Sequence, residues 1–173
     1  TAAAAGVAPE RLIFAPRVAP PEYLARFQCA DLVLDTFPFN AGTTANDALW
    51  MGLPVLTMSG RSFASRMAGA LLTAAGLPEL ITQDLQAYED TAVALAGDAR
   101  KRKALREELA HAKAHGPLFD SLRFTRALEQ QYRALVSGLQ APTTPTKPGV
   151  GATGDGHPAT PSCNLNDIAA IVT

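Results

Sequence analysis

Residues 31–58 read DLVLDTFPFNAGTTANDALWMGLPVLTM. Leu32, Val33 and Leu34 form an apolar run short enough for a buried strand, and Asp35 and Thr36 end it. Pro38, Asn40 and Gly42 mark a loop. The segment that opens at Thr43 and Thr44 and runs through Asp47, Leu49 and Trp50 reads as a helix. Gly52 and Pro54 stop it, and Val55, Leu56 and Thr57 read as the next strand. This is a strand–loop–helix–strand unit of the βαβ kind. Its loop sets a glycine and two hydroxyls at a helix N-terminus, where free backbone N–H groups and the helix dipole favour a phosphate.

The flanking segments extend the same alternation. Upstream, residues 11–15 (Arg-Leu-Ile-Phe-Ala) are a short strand candidate closed by Pro16, and the prolines of 16–21 make a loop. Pro21 suits the first turn of a helix over 22–29, with Tyr23, Leu24 and Phe27 on one side and Cys29 as a small core residue. Downstream, Ser59, Gly60 and Arg61 form a turn and Ser62 is an N-cap. Phe63, Met67 and Leu71, and Ala64, Ala68 and Leu72, then repeat every four residues up to Gly76, a pattern suited to packing on a sheet. Leu80 and Ile81 are a short extended segment. Asp84 caps a helix to Ala96 that carries Tyr88 and Ala92. A charged helix over 99–114 is expected to be exposed, and Trp50 is expected in the core. A last helix from Asp120 or Ser121 bears an apolar stripe of Leu128, Tyr132, Leu135 and Val136.

Strands alternating with helices imply an α/β, Rossmann-like parallel sheet with helices on both faces. Ligands bind such sheets beyond the C-terminal ends of the strands. The loops 16–21 and 40–44 both lie at such ends and can face one ligand. Two units are expected: residues 1–137 as the folded domain, and residues 138–173, rich in Pro, Thr and Gly, as a disordered tail. Leu165 to Val172 is apolar but isolated and receives no role. The chain opens Thr-Ala-Ala-Ala-Ala rather than with Met, which leads us to expect a part of a larger protein.

Composition narrows the function classes. The chain has 173 residues, 47% of them apolar, and a formal charge of −1. Nothing in that balance attracts nucleic acid or a membrane surface. No run of about 18 apolar residues predicts a membrane span. Cys29 and Cys163 form no disulfide framework or metal motif, which fits a reducing compartment, and a cytoplasmic protein is expected.

The run DLVLDTFPFNAGTTANDALWMGLPVLT, followed by GRSFASRMAGALL at residues 60–72, YED at 88–90 and PLF at 117–119, resembles the C-terminal catalytic region of protein O-GlcNAc transferases. It resembles equally the bacterial tetratricopeptide-repeat glycosyltransferases and the SPINDLY-type O-fucosyltransferases of plants. The similarity covers residues 11–136. It implies a GT-B architecture, two Rossmann-like domains with the active site between them, of which this chain looks like most of the C-terminal, sugar-nucleotide-binding half. It implies UDP-GlcNAc as donor, no metal or other cofactor, and transfer to Ser or Thr hydroxyls of acceptor proteins. An upstream Rossmann half and upstream repeats would be the partners.

The resemblance also implies site residues. Thr43 and Thr44 match the paired threonines that hold the donor diphosphate, after Gly42. Asp47 matches the acid that bonds the ribose hydroxyls. Val18 falls where a backbone group meets the base, Tyr23 where a ring can stack on it, and Arg26 matches a basic residue near the nucleotide. No catalytic residue is placed in this chain, which is expected to be inactive alone. Animal members carry a lysine where Pro20 stands, and histidines where Tyr23 and Gly42 stand. The spelling FPFNAGTT is closer to bacterial and SPINDLY-type members. The donor therefore stays open: a GDP-fucose-dependent transferase and a non-catalytic interaction module are the alternatives.

Each of these residues also has a plainer reading. Thr43 and Thr44 serve equally as helix caps, a role compatible with phosphate binding. Asp47 by itself is a solvated acid near a helix start, Arg26 a surface residue, and Asp35 a loop hydrogen-bond acceptor, which is the reading preferred for it. His111 and His115, four apart on a helix, have the spacing of metal ligands, but no neighbouring acid pattern completes a site, and solvated side chains are preferred.

Overall fold

The computed structural model describes residues 2–140. Three short strands, β1 (Val33–Leu34), β2 (Val55–Met58) and β3 (Ile81–Thr82), form one sheet in the order β1-β2-β3. Both pairings are parallel, with Val33 opposite Val55 and Thr57 opposite Ile81. Six α-helices accompany them among the described residues: α1 (Pro20–Arg26), α2 (Thr43–Trp50), α3 (Met67–Ala75), α4 (Leu85–Gly97), α5 (Ala99–His115) and α6 (Ser121–Gln140). The α/β fold class expected from the alternation is therefore the observed one.

The core lies where strand β2 meets small-residue helix faces. Val55 and Leu56 are fully buried, as are Ala45 and Ala48 of α2 and Ala68, Leu71 and Leu72 of α3. Alanine at these contacts lets the helix backbone approach the sheet. α3 stops at Gly76, whose φ of 79° is left-handed and favours glycine. Asp84 and Asp98 start α4 and α5 by accepting from the N–H groups of Ala87 and Lys101 at 2.8 and 2.9 Å.

Several expectations are corrected. Residues 11–15 form no strand. Ile13 and Phe14 are 87% and 91% exposed, because no described segment lies alongside to take their hydrogen bonds. Cys29 is exposed rather than in the core. Trp50 is 45% exposed, lying over the surface against Phe119 with ring centroids 5.1 Å apart. α5 is not merely a solvated helix, since Leu105 and Leu109 are buried in the core. The Met67 repeat begins one turn late, because Ala64–Arg66 is a 3-10 turn held by the Ser62 hydroxyl, which accepts from the Ser65 N–H at 3.2 Å. α6 continues to Gln140, past Gly138 where the tail was expected to begin, and the rest of that tail lies outside the described residues.

Candidate functional site

The helix start predicted at Thr43 carries no side-chain cap among the described residues, and Gly42 is the N-cap residue of α2. The first intrahelical bond runs from the Asn46 N–H to the Gly42 carbonyl at 3.0 Å. The amides of the first turn thus keep no side-chain partner there, and Thr43 and Thr44 are exposed. Asp47 follows Thr43 and Thr44 at helical spacings of four and three residues and is partly exposed. The capping role open to the two threonines is not used.

This helix start is held by the loop before it, and the loop is held by Asp35. Asp35 is 5% exposed. Its Oδ1 accepts from the N–H groups of Thr36 and Ala41, both at 2.8 Å, and its Oδ2 accepts from the Thr57 hydroxyl at 2.7 Å. One carboxylate therefore joins the end of β1, the end of the loop and the middle of β2. The reading of Asp35 as a loop hydrogen-bond acceptor describes its contacts. Asn40 sits inside the same loop at 1% exposure, its N–H donating to the Ala64 carbonyl at 3.1 Å and its Nδ2 to the Thr36 carbonyl at 2.9 Å. The Tyr88 hydroxyl donates to the Asp35 carbonyl at 2.9 Å. Burial and, secondarily, the nearby Asp35 carboxylate push the Tyr88 pKa upward, so the phenol keeps its proton and stays a donor.

A second loop closes in from β2. A Cβ on Gly42 would stand 3.3 Å from the Met67 Cε, so the start of α2 abuts the start of α3. Phe37, Pro38, Met58, Ser59 and Ser62 line a cleft of about 290 Å³ between the two loops. Gly60 is required at its rim, because a Cβ there would come within 2.8 Å of the Ser65 Cβ.

The far end of α2 is secured by α5. Lys113 Nζ donates to the Trp50 carbonyl at 2.9 Å and lies 3.7 Å from the centroid of the Trp50 ring. Arg106 donates to the Gly52 and Ala30 carbonyls at 3.0 and 2.5 Å. These cations satisfy carbonyls at or just beyond helix C-termini, where positive charge is favoured.

The sequence-predicted residues fall into two groups. Gly42, Thr43, Thr44 and Asp47 share the start of α2. Val18, Tyr23 and Arg26 lie on and just before α1, where the Tyr23 ring packs edge-on against Phe27 at 5.2 Å and Arg26 donates to the Pro16 carbonyl at 2.6 Å. No hydrogen bond, ion pair or ring contact among the described residues joins the two groups. Sequence reasoning missed the positioning residues Asn40, Thr57, Tyr88, Arg106 and Lys113. The one available signal was Thr57, a hydroxyl within an otherwise apolar strand.

Among the described residues no group of three or more His, Cys, Asp or Glu side chains is placed to hold a metal, and no helix is long and apolar enough to cross a membrane.

Comparison with known proteins places this arrangement in context. The model of the family described as Glycosyl transferase family 41 matches residues 1–128. The probable UDP-N-acetylglucosamine–peptide N-acetylglucosaminyltransferase SEC of Arabidopsis thaliana is 40% identical over 132 residues, covering 76% of this chain and 14% of that protein. The UDP-N-acetylglucosamine–peptide N-acetylglucosaminyltransferase of Caenorhabditis elegans is 36% identical over 138 residues, covering 78% of this chain and 12% of that protein. Among solved structures, a mutant form of the Thermobaculum terrenum O-GlcNAc transferase superposes with a TM-score of 0.73 at 37% identity, covering 77% of this chain and 26% of that one.

Proposed function

This chain belongs to glycosyl transferase family 41, and we propose that it supplies the donor-holding side of a transferase that moves a sugar from a nucleotide to a Ser or Thr hydroxyl of a protein. Its sheet and flanking helices match part of a GT-B catalytic region. The observation that carries the proposal is the uncapped start of α2, with Thr43 and Thr44 exposed behind a loop locked by Asp35.

In this reading the donor diphosphate sits on the free N–H groups of the first turn of α2, with the two threonine hydroxyls as further donors. When the glycosidic bond to phosphate breaks, negative charge grows on the departing diphosphate. Fixed N–H groups, hydroxyls and the positive end of the helix dipole stabilise that charge without reorganising. Asp47, one turn along, accepts from the ribose hydroxyls. Val18, Tyr23 and Arg26 receive the base side of the nucleotide. UDP-GlcNAc is the proposed donor, since the Arabidopsis and Caenorhabditis relatives are named for that nucleotide sugar. The described residues offer this leaving-group assistance but no base aimed at an acceptor hydroxyl. We therefore assign activation of the acceptor, and its capture, to parts of the transferase outside them.

Calorimetric titration of the chain with UDP, UDP-GlcNAc and GDP tests the assignment. UDP and UDP-GlcNAc should bind, and the double variant Thr43→Ala, Thr44→Ala should bind at least about tenfold more weakly, the loss of roughly one charge-assisted hydrogen bond. Equal binding by the variant removes the diphosphate site. Preference for GDP moves the donor to a guanosine nucleotide.

A further inference from the structure

We propose that His111 and His115 form a two-imidazole chelate for a divalent transition-metal ion on the exposed face of α5. The two residues stand four apart near the end of a helix that runs to His115, and both are exposed. Their ring centroids lie 4.9 Å apart with the planes tilted by 56°. The rings are tilted rather than stacked, and rotation of the two exposed side chains can turn one nitrogen of each toward a common point.

The separation fits metal coordination quantitatively. A first-row metal bound at about 2.1 Å from an imidazole nitrogen lies about 3.2 Å from that ring's centroid. Centroids 4.9 Å apart then subtend about 100° at the metal, between the octahedral and tetrahedral angles. Neutral imidazole suits Ni²⁺, Cu²⁺ and Zn²⁺ rather than Mg²⁺ or Ca²⁺. No third His, Cys, Asp or Glu joins the pair among the described residues. Glu107, one turn before His111, instead faces Lys103 at 3.7 Å. The chelate thus has two protein ligands, and water completes the coordination.

The neighbouring cation is out of the way. Lys113, between the two histidines in sequence, is drawn to Trp50 by the carbonyl bond and the ring contact. That same contact gives the metal a structural reach. An ion bridging His111 and His115 braces the last turns of α5, and those turns hold the C-terminal end of α2 through Lys113.

The full chain titrated with Ni²⁺ should bind one ion. His111→Gln and His115→Gln should each weaken binding by at least the about 10- to 100-fold that even an outer-shell partner is worth. Both side chains are exposed, so the variants should keep the wild-type helical circular dichroism. His157→Gln, Cys29→Ser and Cys163→Ser should bind like the parent, and Ni²⁺ should raise the melting temperature of the parent but not of the two α5 variants. The proposal is overturned if either α5 variant keeps the parent's affinity, if loss of binding instead follows His157, Cys29 or Cys163, or if no saturable binding occurs at millimolar Ni²⁺.

Discussion

The Tyr88 hydroxyl donates to the main-chain oxygen of Asp35 at 2.9 Å, joining α4 to the end of β1 across 53 positions of sequence. Through that bond and the three hydrogen bonds accepted by the Asp35 carboxylate, one helix and two strands fix the loop that leads into α2. Rigidity matters here because a preformed set of N–H donors loses little entropy when an anion arrives.

Removing the carboxylate should be costly. Asp35→Ala leaves the N–H groups of Thr36 and Ala41 and the Thr57 hydroxyl without their acceptor in a buried place. Urea unfolding should show a loss on the order of 3 kcal/mol. Asp35→Asn keeps one oxygen for the two amides, and Thr57 can turn its hydroxyl to accept, so about 1 kcal/mol is expected. Equal losses for the two variants would show that the amide bonds are not what Asp35 contributes.

Tyr88→Phe deletes only the hydroxyl, and a loss of about 1 kcal/mol is expected. The pH dependence has a definite sign. Burial, then the Asp35 charge, raise the folded-state pKa of Tyr88 above its ordinary value. Its contribution is therefore complete below the unfolded-state pKa of about 10 and is lost as pH rises through the folded value. Stability measured in alkali should fall more steeply for the parent than for Tyr88→Phe.

Thr43 and Thr44 should separate function from folding. Neither side chain caps α2, and both are exposed. The single alanine variants should unfold within about 0.5 kcal/mol of the parent while binding UDP more weakly. A large stability loss would instead identify the hydroxyls as structural.

Gly60 should be intolerant of any side chain. In Gly60→Ala the new methyl would meet the Ser65 Oγ at 2.5 Å, at a place where the Gly60 N–H also donates to the Ser65 carbonyl at 2.8 Å. The loop must shift, at about 1–3 kcal/mol, and the cleft beside Phe37 should change shape with it. A crystal structure or thermal melt of the variant checks both.

Lys113→Met should cost about 1 kcal/mol, because it removes the cation over Trp50 and the bond to the Trp50 carbonyl while keeping an aliphatic stem. Trp50 fluorescence should report the loss of the neighbouring charge.

Much was legible in the chain because it depends on neighbours in sequence. Hydrophobic spacing, the Asp84 cap and the Gly76 stop are local, and they suffice to mark α2 to α5, the sheet class and the helix start at Thr43. Periodicity cannot say whether a partner is present. Residues 11–15 have strand composition and no strand beside them, so they stay extended and exposed. Trp50 and Cys29 were misplaced for the same reason: apolar character sets a preference for burial, while the packing of other elements decides which positions obtain it. The Asp35–Thr57–Tyr88 support arises from contacts 22 and 53 residues apart. Local sequence determined that a helix begins at Thr43. Only tertiary structure decided that the loop before it is held still, because that follows from which distant groups claim the hydrogen bonds of Asp35.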